Sequence, residues 1–340
     1  MRVLAVTNIY PTSTTPTRGT YVEQQIKSLK EIGFDVEIML IDRLHSGMRE
    51  YTKLPARLRT TIAKFQPDVV HAMYGGVMAA QVTQTVKDRP TLVTFHGSDL
   101  LGEHLSGIKR QLLASFGVWA SYRAARQASG VIVVSKNLRD ALPKTIPPNR
   151  INIIPCGIDL GRFRPMDSAT CRDQLGWDAS AFHILFPANN GDPVKRPALA
   201  EAAVNEVRNL GVRAELHYLQ GVPYDKVPIW INASDMVLLT SLHEGSPTVV
   251  KEALACDVPV VSVDVGDVSE RLYALNGCYV SAADPQILAG NIIRVYSGTR
   301  RVASRSSIEA FSLREIAYRV KQVYESVIRP SSKRVSLPTA

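Results

Sequence analysis

The stretch from His243 to Val261, "HEGSPTVVKEALACDVPVV", decides how this chain is read. It is mostly small and apolar, yet it carries Glu244 and Glu252 with seven residues between them. "MVLLT" (236–240) before it and "PVVSVD" (259–264) at its end both read as strands, so the helix between them must be short. Proline is excluded from a helix interior but suits the first helical position. Pro247 therefore opens the helix, Ser246 is the expected N-cap, and the helix runs roughly to Cys256. Glu244 then lies in the loop at the carboxyl end of a strand, whereas Glu252 lies on the helix among small and apolar neighbours.

A helix surface tolerates a solvated carboxylate, which is a sufficient reading of Glu252. It is a weaker one for Glu244, placed at a strand's carboxyl end just before a helix start. The amides of Gly245, Ser246, Thr248 and Val249 lead that helix, and helix N-termini favour anions. Gly245 lets the backbone approach a ligand closely. An anion cradle flanked by two acceptors of hydroxyl hydrogen bonds suits a diphosphate set between two polyhydroxyl groups, which is the layout of a nucleotide sugar.

Working outward, strand-like runs alternate with helical patterns from end to end. The first series is "RVLAVT" (2–7), "DVEIMLI" (35–41), "DVVHAM" (68–73), "TLVTFH" (91–96), "GVIVVS" (130–135) and "INIIP" (151–155). The second is "HILFPA" (183–188), "AELHYL" (214–219), "MVLLT", "PVVSVD" and "CYVS" (278–281). Val- and Ile-rich runs without clean alternation suit parallel strands buried on both faces. The expected fold class is therefore α/β, with two Rossmann-like doubly wound domains facing a cleft. The boundaries fall at 1–157 for the first domain, 158–166 for a linker within "PCGIDLGRFRPM", and 167–310 for the second domain. A terminal helix at 311–329 is opened by a Ser312/Glu315 capping box and packs back on the first domain. The polar tail 330–340 reads as disordered.

Composition narrows the class. With 45% hydrophobic and 21% charged residues, the chain is globular, and no apolar run is long enough to span a bilayer. The N-terminus "MRVLAVTNIYP" reads as a first strand, since no small-residue cleavage site follows its apolar run. Four scattered cysteines suggest neither zinc nor disulfides and fit a reducing cytoplasm. Lys and Arg exceed Asp and Glu by 40 − 31 = 9. Part of the excess lies in 43–64, read as a solvated helix face. Part lies in "GIKRQLLASFGVWASYRAAR" (107–126), which mixes charge with Leu, Phe, Trp and Tyr and suits an anionic membrane surface as well as a solvated face. No nucleic-acid motif accompanies the charge.

"EGSPTVVKEALACDVPVV" resembles the Glu, seven residues, Glu signature of retaining GT-B glycosyltransferases (glycosyltransferase family 4, the "group 1" glycosyl transferases). The resemblance extends over nearly the whole chain: "RGTYVEQQIKSLKEIGFDVEIM" resembles the family's opening loop and first helix, and "TFHGSDL" its His-Gly motif. "IPCGIDLGRFRP" resembles the joining segment, and "VPIWINASDMVLLTS" the lead into the signature.

The resemblance implies catalytic roles for Glu244 near the donor sugar, His96 at the reacting centre and Lys195 on the departing diphosphate. It implies donor binding by Glu252 on the ribose, by the Gly245, Ser246, Pro247 and Thr248 backbone, and by Gly19 in the first loop. An arginine usual upstream of the lysine is missing; Asn189 and Asn190 stand in that region, and Arg196 is a candidate replacement. No D-x-D sequence is present, and the family works without a bound metal or other cofactor. The implied function is transfer of a hexose or N-acetylhexosamine from a nucleotide-diphosphate sugar to a glycan or lipid-linked acceptor, in polysaccharide, cell-envelope or glycolipid biosynthesis. The setting is cytoplasmic, with peripheral membrane association. The alternatives are a nucleotide-sugar epimerase of the same fold and a non-catalytic nucleotide-sugar or carbohydrate binder. Base, sugar and acceptor stay open.

Overall fold

The structure is a computed structural model that describes residues 1–43, 47–102, 107–187, 193–298 and 300–329; the tail 330–340 lies outside the described residues. All eleven runs read as strands form strands. β1 (Arg2–Thr7), β2 (Asp35–Leu40), β3 (Val69–Ala72), β4 (Thr91–Phe95), β5 (Gly130–Val133) and β6 (Ile151–Ile153) make one sheet in the order β2-β1-β3-β4-β5-β6. β7 (Phe182–Phe186), β8 (Ala214–Tyr218), β9 (Met236–Leu239), β10 (Val260–Val263) and β11 (Tyr279–Ser281) make the second, ordered β11-β10-β9-β7-β8. Pairing is parallel throughout. The central strands are buried on both faces, which explains runs without alternation.

The last residues of several runs, including His96, Ser135 and Thr240, fall just beyond their strands. They stand in loops at the carboxyl ends, where open α/β sheets bind ligands.

Successive residues of β1 serve opposite faces. Leu4 and Val6 pack with Leu58, Met78 and Ala124, whereas Val3 and Ala5 pack with Val22, Ile26 and Leu29 of the helix Thr20–Glu31. That second face is completed from the far end of the chain by Ile316, Ala317, Val320, Val323 and Tyr324 of the helix Leu313–Ile328. Ser312 caps this helix, its hydroxyl accepting from the Glu315 amide at 3.3 Å. Beside it, Ile158 donates to the Phe311 carbonyl (2.8 Å) and accepts from the Leu313 amide (3.0 Å). The two segments that cross between the sheets are thus hydrogen-bonded to each other.

His71, on β3, lies fully buried beneath this helix. Its Nδ1 is 2.8 Å from the Tyr324 hydroxyl and its Nε2 2.7 Å from Thr94 Oγ1. Desolvation lowers its pKa to about 3, so the folded protein holds the ring neutral. An unfolded histidine titrates near 6.5. Between about 6.5 and 3 the unfolded chain binds a proton that the folded chain does not, so this contribution to stability is complete above pH 6.5 and is lost as pH falls. His71→Gln should flatten that part of the stability profile in denaturant titrations. Tyr324→Phe should cost about 1–3 kcal/mol at neutral pH by leaving a buried ring nitrogen without its partner.

Candidate active site

A cleft of about 600 Å³ opens between the carboxyl ends of the two sheets. The second domain supplies Lys195, Glu244, Gly245, Ser246, Pro247 and Thr248, and the first supplies His96, Gly97, Tyr21, Tyr74 and Cys156. Seven of the ten residues singled out in the sequence therefore share one cavity.

Glu244 stands in the loop after β9. Its Oε1 accepts from Lys195 Nζ at 2.5 Å and from the Ser241 hydroxyl at 2.7 Å. The pair is largely sheltered, with side-chain exposures of 27% and 16%. Lys195 arrives from the loop between β7 and the helix Pro197–Asn209, so two separate chain segments meet at one carboxylate.

The helix of the signature runs Thr248–Ala255, and its N-cap is Pro247, not Ser246. Ser246 is diverted by tertiary partners. Its hydroxyl donates to Asp267 Oδ2 (2.9 Å) and accepts from Lys251 Nζ (2.8 Å). Asp267 is also paired with Arg271 at 3.1 Å. Lys251 has no exposed surface, and burial drives its pKa down while Asp267 opposes the shift. This buried chain of polar groups braces the underside of the cleft wall.

His96 is half-buried, with its ring between Tyr21 (centroids 4.6 Å apart) and Tyr74 (6.0 Å, near parallel). Its Nε2 lies 3.0 Å from the Met73 carbonyl, which can only accept, so Nε2 carries the proton and Nδ1 the lone pair. Nδ1 meets the Cys156 thiol at 3.5 Å. Desolvation pushes the ring pKa down to about 4, against the Met73 hydrogen bond. The thiol is pushed up to about 11, again mainly by desolvation. Asp99 shapes the loop: its carboxylate accepts from the amides of Gly97 (2.8 Å), His96 (3.0 Å) and Gly75 (3.0 Å). Burial nevertheless raises its pKa to about 6.

Three of the singled-out residues lie elsewhere. Arg196 donates to the carbonyls of Thr240 (2.6 Å) and Ser241 (3.0 Å), so its guanidinium ties down the end of β9 and does not line the cleft. Gly19 has φ 75° and precedes the helix Thr20–Glu31. A Cβ there would stand 2.7 Å from the Ile9 backbone, so local packing accounts for the glycine. Glu252 is 4% exposed and accepts from the Tyr224 hydroxyl at 3.3 Å. Desolvation raises its pKa to about 7, opposed by that bond and by Lys251. Tyr224 borders a neighbouring cleft of about 550 Å³, together with Arg162, Tyr10 and Glu23. Asn189 and Asn190 lie outside the described residues.

Reading the sequence did not find Tyr21, Tyr74, Cys156 or the Lys251–Ser246–Asp267 chain. The tyrosines sit in ordinary helical and loop patterns, and Lys251 belongs to a helix buried from Val250 to Ala255, where periodicity carries no signal.

Two family models match consecutive parts of the chain: Glycosyltransferase Family 4 over residues 19–162 and Glycosyl transferases group 1 over residues 190–298. The chain belongs to this group of glycosyltransferases, and its fold is GT-B. A Bacillus subtilis relative named "Putative teichuronic acid biosynthesis glycosyltransferase TuaC" is 25% identical, covering 86% of this chain and 89% of that protein. Among solved structures, a sucrose-phosphate synthase from Thermosynechococcus elongatus superposes with a TM-score of 0.80 at 17% identity, over 97% of this chain and 100% of that one. Anabaena Alr3699/HepE in complex with UDP-glucose superposes with a TM-score of 0.65 at 19% identity, over 97% and 99%. At such identities these structures establish the shared fold.

The two walls meet at Gly245. A Cβ there would lie 1.9 Å from the His96 carbonyl oxygen, and behind it a Cβ on Gly266 would lie 2.7 Å from the Gly245 carbonyl. Gly245→Ala should force the domains apart without unfolding either. The expected result is an increased radius of gyration by small-angle scattering, an unchanged far-UV circular dichroism spectrum, and a loss of at least about tenfold in transferase activity.

Proposed function

We propose that this protein transfers a hexose or N-acetylhexosamine from a nucleoside-diphosphate sugar to an acceptor hydroxyl, with retention at the anomeric carbon and without a metal ion in the reaction. The reading is carried by one observation: Lys195 and Glu244 form a sheltered ion pair facing His96 across the interdomain cleft. A diphosphate would compete for the Lys195 ammonium and release the Glu244 carboxylate to accept from sugar hydroxyls. Lys195 then stabilises the charge that develops on the leaving diphosphate. The anomeric carbon–phosphate oxygen bond breaks, the acceptor oxygen bonds to the same face, and the acceptor proton passes to the leaving phosphate oxygen. Glu252, beneath Tyr224, is the proposed ribose contact, reached when Tyr224 yields its hydrogen bond. The UDP-glucose bound by the Anabaena protein supports a uridine sugar as the first donor to try.

Donors are screened by thermal shift, and the product of the stabilising donor is examined by proton NMR for its anomeric coupling. Inversion, or a change in the free sugar nucleotide without any acceptor, would reject the proposal in favour of another mechanism or an epimerase. Lys195→Ala and Glu244→Gln should each lower kcat by roughly a hundredfold, in line with about 3 kcal/mol for a lost transition-state partner.

We further propose that the acceptor is carried by lipid at an anionic membrane surface. The helix Ile108–Gln127 leaves Ile108, Leu112, Leu113, Phe116 and Trp119 at least half exposed, from 82% at Ile108 to 50% at Phe116. Lys109, Arg110 and Arg123 accompany them. A side cleft of about 400 Å³, lined by Arg110, Leu113 and Phe116, shares Tyr74 and Ser98 with the main cleft, giving an apolar chain a route to it. Among the described residues no helix is long and apolar enough to cross a membrane. The protein should sediment with phosphatidylglycerol vesicles but not with phosphatidylcholine vesicles, and Phe116→Ser/Trp119→Ser should abolish this without altering its circular dichroism spectrum. Equal sedimentation of that variant would refute the assignment to this helix.

A further inference from the structure

Away from the cleft, β7 and its edge partner β8 bring three potential metal ligands together. Parallel register sets His183 beside Glu215 and Leu185 beside His217. Glu215 and His217 are two apart on one strand and so point to the same face as His183. His183 Nδ1 and His217 Nε2 are 2.9 Å apart, and Glu215 Oε2 lies 3.6 Å from each. These three atoms, mutually within 4.8 Å, are the one such group of His, Cys, Asp and Glu donors among the described residues. A tetrahedral ion with metal–nitrogen distances of about 2.0–2.1 Å holds its donors about 3.3 Å apart, so the triangle has the right size.

The ring orientations agree with this use. His183 Nε2 lies 2.7 Å from the Asp178 carbonyl, which can only accept. Nε2 therefore carries a proton, and Nδ1 faces Glu215 and His217. A backbone carbonyl holding the far nitrogen of a ligating histidine is the usual outer support of a metal site. His217 is fixed in plane by Trp177, stacked at 3.6 Å and 8°. Glu215 is too far from either ring to hydrogen-bond and accepts no hydrogen bond from any described residue. The three donors converge on one point: the two rings share a hydrogen bond there, whose proton an incoming ion would displace to solvent, and the Glu215 carboxylate faces it without a hydrogen-bond partner.

We propose that His183, Glu215 and His217 bind one divalent transition ion of the zinc class. Two imidazoles and a carboxylate are ligands suited to such an ion, with water completing the shell. None of the clefts described above is lined by these residues, and β7 enters the donor cleft only beyond its other end, at Pro187. The ion's role is structural. It staples edge strand β8 and the turn at Trp177 to the strand that leads to Lys195.

The test uses the full chain, stripped with chelator, dialysed and titrated with zinc chloride by calorimetry. The expected result is one equivalent bound, with a melting temperature that rises with zinc concentration. Cobalt(II) in place of zinc should give visible ligand-field bands. Glu215→Gln, at a partly exposed edge position where misfolding is not expected, should weaken zinc binding by at least about tenfold, and His217→Asn by at least as much. Failure of the stripped protein to take up zinc would overturn the proposal. So would one equivalent bound with unchanged affinity in Glu215→Gln, which would place the ion elsewhere.

Discussion

The site depends on a contact between two backbones. The Gly245 Cα faces the His96 carbonyl so closely that no side chain fits between them, and Gly266 presses on Gly245 from behind. A glycine at this point lets the loop after β9 and the loop after β4 form one wall. The Asn137 side-chain amide adds a hydrogen bond across the same seam, to the Glu244 carbonyl at 3.2 Å. With the backbones locked at this distance, Glu244 and Lys195 face the His96 ring across a cavity of defined width. Moving the loops apart by one methyl group would loosen the positioning of every group in the cleft.

Holding such a contact requires stiff loops, and both are stiffened by buried charge. On one side, the Asp99 carboxylate gathers three amides of the His96 and Gly75 loops. On the other, Lys251, Ser246, Asp267 and Arg271 form a continuous polar chain beneath the signature helix. Buried charges are costly unless they are paired or hydrogen-bonded; Asp267 is paired with Arg271, and Asp99 is held by backbone amides alone. The raised pKa of Asp99 and the lowered pKa of Lys251 record that cost. The gain is that functional groups on irregular backbone are held as firmly as if they lay on a strand.

Legibility in the sequence followed the range of the forces involved. The strands were legible because burial on both faces leaves an unmistakable run of Val, Ile and Leu, and all eleven formed. Local rules also served at Ser312, whose cap depends on residues three apart. The same rule misplaced Ser246, because Lys251 and Asp267 offer its hydroxyl stronger, charge-assisted partners than a helix amide does. Arg196 shows the same limit: its spacing suggested a second cation for the donor, yet a φ of 52° turns it onto the carbonyls at the end of β9. Tyr21 and Tyr74 left no trace in the sequence, since a tyrosine that flanks a ligand-facing ring and one that packs a core have the same local pattern.

Glu244 and Glu252 show how far spacing alone can go. Seven intervening residues place one in a loop and the other on a helix, and that division stands in the structure. Their surroundings then separate them in kind. Glu244 is an ion-paired carboxylate in the open cleft, next to the lysine that an incoming anion would engage. Glu252 is sealed under Tyr224, and desolvation raises its pKa to about 7. A ligand hydroxyl that replaced Tyr224 would have to offset that desolvation with a better hydrogen bond, whereas one that met Glu244 would find a carboxylate already held at the cleft by Lys195. The two glutamates of one motif thus differ in what they ask of a ligand, and the difference is set by residues that neither adjoins in sequence.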